Sequence, residues 1–362
     1  MAFFSRIRTQ FLSWAQDTPL PAGLSDAAPI FQAWHGYDPV TEQWTIINTG
    51  HTARSRNGTD EGGSSGGSKL TLVTWNVDST SSLTESRISA ILSHISKQTP
   101  TVDIIFFQEV SRLALNTLLK DSRIRNDWFS SEADETNWEG QSFASMTLLS
   151  RSRFRDTKES PGKATLGPIW RYKYPSRFGR DALCCDVFLP SLQAGPLTHE
   201  LTDSRIRLVN VHLDSLPIQP SQRPRQVSIV ASIIRSAGRG LVAGDFNPVL
   251  PEDDTLIQDN RLVDVWPELH NKNPGFTWGI DGKQPFPPNR LDKIAMLGLR
   301  AQDMEVMHPN SITLSNSDET HDDTKMIPSP SEDLERKNSA NNNVVPWSDH
   351  SGLKCSFALV GQ

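Results

Sequence analysis

Six apolar runs rich in β-branched and aromatic residues recur between residues 70 and 246: LTLVTWNV, VDIIFFQEV, SFASMTLLS, ALCCDVFL, IRLVNVHL and GLVAGDF. Four of them end on an acid, amide or imidazole: Asn76, Glu109, His212, and Asp245 with Asn247. A strand that buries its body and exposes its tip carries that side chain to one edge of a sheet, so four strands can aim ligands at one point. Between the runs, Ile88, Ile91, Leu92 and Ile95 keep the spacing of a buried helical face, as do Val227, Val230, Ile233 and Ile234. The chain reads as layered α/β, with strands buried on at least one face.

The residues at the tips select a chemistry. Carboxylates and amides are hard oxygen ligands, suited to Mg²⁺, with Mn²⁺ as an alternative, rather than to zinc. Mg²⁺ leaves room for phosphate oxygens, which points to phosphoryl transfer. One Asn or Asp at a strand end is most often a turn residue, and only the recurrence favours a site. In Ser348–Gly352, SDHSG, Asp349 precedes His350, an anion beside an imidazole. Asp292, in NRLDKI, sits on a short apolar strand, where a buried carboxylate needs a partner such as a histidine or a basic side chain.

Composition sets the frame. The formal charge of −6 over 362 residues excludes a uniformly basic protein and leaves a local phosphate-facing patch open. Three cysteines, two of them the adjacent Cys184 and Cys185 on opposite faces of a strand, suggest neither a disulfide framework nor a cysteine metal site. No apolar run is long enough to span a bilayer. Arg6 and Arg8 interrupt the start as a secretory signal; Phe3, Phe4, Ile7, Phe11 and Trp14 at helical spacing fit a docking amphipathic helix or a mitochondrial presequence. The expected organisation is an N-terminal segment (1–50) with that helix and a hairpin turning at Asp38-Pro39, a Gly/Ser-rich linker (51–68), and a catalytic domain (69–362) carrying a disordered polar insertion at about 315–343.

TWNV, FQEV, VHLDS, GDFN, RLDKI and SDHSG, in that order across 70–360, resemble the motifs of the endonuclease/exonuclease/phosphatase superfamily. The resemblance implies a four-layered α/β sandwich, two mixed β-sheets packed face to face and flanked by helices, DNase I-like. It implies Glu109 as principal Mg²⁺ ligand, assisted by Asn76 and Asp349. Asp245 would orient or deprotonate the attacking water and Asn247 would hold it or a phosphate oxygen. His350, supported by Asp292, and His212 would contact phosphate oxygens. Within the superfamily, VTWNVD, FFQEV, NVHLDS, GFTW and PPNRLDKI are most similar to the 5′-tyrosyl-DNA phosphodiesterases, the tyrosyl-DNA phosphodiesterase 2-like branch. That likeness implies hydrolysis of single-stranded DNA 5′ ends carrying a topoisomerase-derived tyrosine, by a nuclear monomer, with cytoplasm or mitochondrion as alternatives. It places Ser215 and Trp278 at the substrate groove, while Arg180 and Arg225 read either as contacts to backbone phosphates or as solvated surface charge. Another nuclease, a lipid or inositol phosphate hydrolase, and a non-catalytic scaffold are the competing readings.

Overall fold

The computed structural model describes residues 29–49, 69–155, 163–190, 204–313 and 344–359. The expected N-terminal helix, the linker and the 315–343 insertion lie outside these residues. Two eight-stranded mixed sheets form the centre. The first runs β1 (Ile30–Gln32), β9 (Ala164–Lys173), β10 (Asp181–Leu189), β11 (Ser204–His212), β12 (Gly240–Asp245), β14 (Asp292–Leu297), β13 (Val263–Asp264), with β8 (Phe154–Arg155) pairing to β9. The second runs β15 (Leu299–Met307), β18 (Gly352–Leu359), β4 (Leu70–Asn76), β5 (Ile104–Ser111), β7 (Phe143–Ser150), β6 (Trp128–Ser130), β2 (Trp34–Asp38), β3 (Gln43–Ile47). A separate hairpin pairs β16 (Ser311–Thr313) with β17 (Val344–Pro346).

Three apolar clusters fill the layers. Leu70, Leu72, Ile104, Phe106, Leu208, Leu241, Ile294 and Leu353 pack between the sheets. Helices α1 (Thr84–Ser96) and α2 (Arg112–Lys120), followed by the short α3 (Ser122–Asp127), cover the second sheet, where Ile88, Ile91 and Leu115 meet Val73, Trp75 and Phe107. On the first sheet, Val227, Val230 and Ile234 of α4 (Arg223–Ala237) meet Val209, Val211 and Val242, with the short α5 (Leu256–Asp259) and α6 (Val265–Leu269) beyond. The helix, sheet, sheet, helix order is the expected four-layered sandwich. Cys184 and Cys185 are free and face different clusters, as alternation requires.

The hairpin expected around Asp38-Pro39 is β2–β3, its turn closed by the Asp38 carboxylate, which accepts from Val40 N and Thr41 Oγ1, each at 2.9 Å. It is not an appendage. β1 completes the first sheet against β9, and β2 joins the second through His35 and Ser130. The boundary expected at residue 69 therefore does not separate two packed bodies. Among the described residues no helix is long and apolar enough to cross a membrane.

Candidate active site

Strand alternation builds the site. On β4 and β11 the positions facing the opposite sheet are apolar along the strand body, then change character over the last two pleats, and on β12 the change comes only at Asp245, after Leu241 and Ala243. The first change is to amides and hydroxyls. Gln108 Nε2 donates to Asn210 Oδ1 at 2.8 Å and Thr74 Oγ1 at 3.0 Å, and Asn210 Nδ2 donates to the carbonyls of Met146 at 3.0 Å and Phe107 at 3.2 Å. The second change is to Asn76, His212 and Asp245, which stand on this amide floor. His212, Asp245 and Asp292 lie in one row of the ladder: β11 runs parallel to β12, pairing His212 with Asp245, and β12 antiparallel to β14, pairing Asp245 with Asp292.

A register shift in β5 between Phe107 and Val110 turns Glu109 to φ 55°, so it departs from simple alternation and enters the same cluster. Asn76 Nδ2 donates to both Glu109 Oε1 and Asp245 Oδ2 at 3.1 Å. Ser79 supports Glu109 Oε2 from its amide at 3.1 Å and its hydroxyl at 2.8 Å. His212 Nε2 lies 3.5 Å from Asp245 Oδ2 and 3.8 Å from Glu109 Oε1. Asn247, at φ 46°, is buried just beyond, its amide donating to Asp245 Oδ1 at 3.0 Å.

The SDHSG loop arrives from the second sheet. Ser348 Oγ donates to Asn76 O at 2.6 Å, and Trp75 Nε1 to His350 O at 3.0 Å. His350 Nδ1 then lies 2.8 Å from Asp292 Oδ2, with Nε2 3.9 Å from Asp245 Oδ2, so the partner that Asp292 required is a histidine. Trp278 bridges to both Asn289 and His350, and its Nε1 donates to Asp349 Oδ2 at 3.1 Å. Arg180 lies over Phe143 at 4.8 Å and donates to Ser215 Oγ at 3.3 Å. Arg225 is exposed on the first turn of α4, away from these contacts.

Burial and charge set the protonation states. Burial pushes Asp245 up to about 7, with Asp292 and Glu109 adding to the rise and His350 and the Asn76 hydrogen bond opposing it. Burial also disfavours the Glu109 carboxylate, but Arg180, Ser79 and Asn76 outweigh it and hold its pKa below the usual value. Burial disfavours the His350 imidazolium, and Asp292, Asp349 and Asp245 overcome that, leaving its pKa well above 6.5. Burial, Arg180 and His350 drive His212 well below 6.5, so it is neutral. Asp349 has an outer surface open to solvent, yet the protein packed around its carboxyl, with Asp78 and Glu109, raises it.

Asp245, Asp292 and His350 present ligand atoms within 4.8 Å of one another, a grouping able to hold a divalent cation. The site fits such an ion: burial, with its acidic neighbours, holds Asp245 only partly ionised near neutrality, and the buried Asp292 Oδ1 has no hydrogen-bond partner. Motif reading missed Ser79, Ser348, Phe143 and the Gln108–Asn210 floor. Of these, Ser348 stands inside SDHSG, and Gln108 and Asn210 carry a signal as polar residues on the inward face of apolar strands; Ser79 and Phe143 carry none.

The Endonuclease/Exonuclease/phosphatase family model matches residues 73–350, and the chain belongs to that family. Family and site together are consistent with metal-dependent phosphodiester hydrolysis. No curated protein is a significant match. Among solved structures, humanized D. rerio TDP2 carrying 14 mutations is 19% identical, with TM-score 0.55 over 80% of this chain and 99% of that one. D. rerio TDP2 complexed with single strand DNA product is 20% identical, with TM-score 0.54 over 80% of this chain and 99% of that one. TDP2 from C. elegans is 17% identical, with TM-score 0.52 over 80% of this chain and 75% of that one. At these identities the likeness is one of fold.

Proposed function

We propose that the chain is a Mg²⁺-dependent phosphodiesterase that hydrolyses 5′-phosphotyrosyl DNA ends left by topoisomerase, acting as a monomer in nuclear DNA repair. The observation that carries the reading is the convergence of Glu109, Asp245, His212 and the His350–Asp292 pair, from both sheets, on one cleft. Glu109 and Asp349, with Asn76, would hold the cation; the grouping of Asp245, Asp292 and His350 competes for that assignment, but the 2.8 Å His350–Asp292 hydrogen bond already engages two of its three members. The cation, when bound, supplies charge neutralisation at the phosphate and the leaving oxygen.

This chain's own residues do the rest. Asp245, near neutrality in pKa, accepts a proton from the attacking water, which Asn247 helps to hold. His350, kept protonated by Asp292, donates to a phosphate oxygen as charge builds there. Neutral His212 binds a second phosphate oxygen. Trp278, half-buried in a segment whose Phe276, Ile280 and Phe286 are exposed, offers stacking surface for unpaired bases. The resemblance of the fold to a TDP2 complexed with single strand DNA product supports that choice of substrate. Arg180, which donates to Ser215 Oγ at 3.3 Å, would meet a backbone phosphate, and Arg225 would serve only a strand long enough to reach α4.

A panel of 5′-tyrosyl, abasic and plain oligonucleotides, with and without Mg²⁺, tests the reading. Cleavage of the 5′-tyrosyl strand to a 5′-phosphate product is expected, with the other two far slower. An intact 5′-tyrosyl strand alongside cleavage of other phosphodiesters would assign the site to another nuclease or to a lipid or inositol phosphate hydrolase.

A further inference from the structure

Arg87, in the first turn of α1, has a fully buried side chain and no hydrogen bond to a carboxylate. Its guanidinium donates instead to five backbone carbonyls: from Nε to Ser82 O at 2.8 Å, from Nη1 to Val77 O at 2.9 Å and Trp347 O at 2.7 Å, and from Nη2 to Asp78 O at 2.7 Å and Ser81 O at 3.1 Å. A buried cation is normally paired with an anion, and arginine's rigid planar fork suits it to several acceptors at once. Here the countercharge comes through space from Asp78, Asp349 and Glu109.

The carbonyls belong to two separate loops. Residues 77–82 carry Ser79, whose amide and hydroxyl hold Glu109 Oε2 at 3.1 and 2.8 Å. Trp347 stands two residues before Asp349, in the loop that Ser348 also pins to β4 through Asn76 O at 2.6 Å. From these contacts we infer that Arg87 is a positioning residue that ties the two loops together and so fixes the spacing of Glu109 and Asp349 for a divalent cation. The inference rests on the assignment of these two acids as metal ligands and not on the identity of the phosphodiester.

Calorimetric titration of the full-length protein with MgCl₂, with melting curves in EDTA, tests it. Arg87→Lys keeps the charge but cannot span both loops, and should weaken Mg²⁺ binding by about tenfold, as loss of support behind a metal ligand does. Ser348→Ala, a milder change that frees one loop alone, should weaken it by a smaller factor. Ile91→Val, which loosens the buried face of the same helix without touching either loop, should bind Mg²⁺ as the wild type does. Wild-type Mg²⁺ affinity in Arg87→Lys together with a lowered melting temperature would reduce Arg87 to a structural role and overturn the inference. If Arg87→Lys does not fold, unchanged affinity in Ser348→Ala overturns it. A wild type that binds Mg²⁺ but leaves 5′-tyrosyl DNA intact removes the substrate reading alone; one that binds no Mg²⁺ removes the inference too.

Discussion

Asp245 and His350 face each other across 3.9 Å with their protonation equilibria bent in the same direction, each holding its proton to higher pH than a free side chain would. The consequence for stability has a definite sign. A carboxyl raised from 3.8 to about 7 in the folded state binds more protons than in the unfolded chain, so its contribution is lost as pH rises through that window. His350, raised above 6.5, contributes stability below that value and loses it as pH climbs through its folded pKa. His212, depressed, acts oppositely, but only below 6.5. The metal-free protein should therefore melt at progressively lower temperature as pH rises above 6.5, where His350 gives up its proton, and Asp245→Asn should flatten the part of the pH dependence between 3.8 and about 7; melting curves in EDTA that match the wild type over that part would contradict the assignment. Asp292→Asn should lower kcat on the order of a hundredfold and move the alkaline limb of the pH–rate profile to lower pH, because His350 loses its main anionic support. Glu109→Ala should cost on the order of a thousandfold in turnover while the circular dichroism spectrum is kept. At this scale the motifs marked Asn76, Glu109, His212, Asp245, Asn247, Asp292, Asp349 and His350. They gave no hint of Ser79 or Phe143, whose roles come from a loop conformation and a cross-strand neighbour.

Among the elements, the long apolar strands were readable, β5 among them despite the shift near its end, whereas β9 and β15, whose irregularities fall in mid-strand, were not. All six apolar runs from residue 70 onward became strands, within a residue or two at each end. β9 was missed because Gly167-Pro168 reads as a turn. In the structure that pair sits where the register with β10 slips between Cys185 and Val187, one of the few places a strand admits proline, and a Cβ on Gly167 would lie 2.5 Å from Asp186 O. β15 was missed because its apolar positions, Leu299, Met304 and Met307, skip phase at the shift between Ala301 and Asp303. The same reasoning explains Glu109, which a perfect strand would have turned away from Asn76. The amide floor is an element-scale feature with a measurable weight: Asn210→Leu strands the carbonyls of Phe107 and Met146 and one Gln108 donor, and should cost about 3 kcal/mol in urea unfolding.

At the scale of the whole molecule, the polar stretch at 51–68 suggested a boundary that packing does not respect. Strands at 30–47 contribute to both sheets because edges left bare by β9 and β6 are better paired than open. Composition registers a linker but carries no information about what lies on its far side. A single proteolytic cut within 51–68 should leave the two pieces together on size exclusion, and separation without denaturant would show that β1–β3 add little. Gln32 strengthens the attachment: its side chain donates to Ser131 O at 2.7 Å and to Glu132 at 3.1 Å, and Glu132 in turn meets buried Arg171 at 2.6 Å. The layering has one more effect. Neither amides nor threonine hydroxyls gain or lose a proton over the pH range in which proteins stay folded, so the Gln108, Asn210 and Thr74 layer insulates the core from the cleft. Protons that Asp245, His212 and His350 exchange therefore pass on the cleft side, where Glu109 and Asp349 meet solvent, and a substrate that covers the cleft also closes the route by which the site resets its charge.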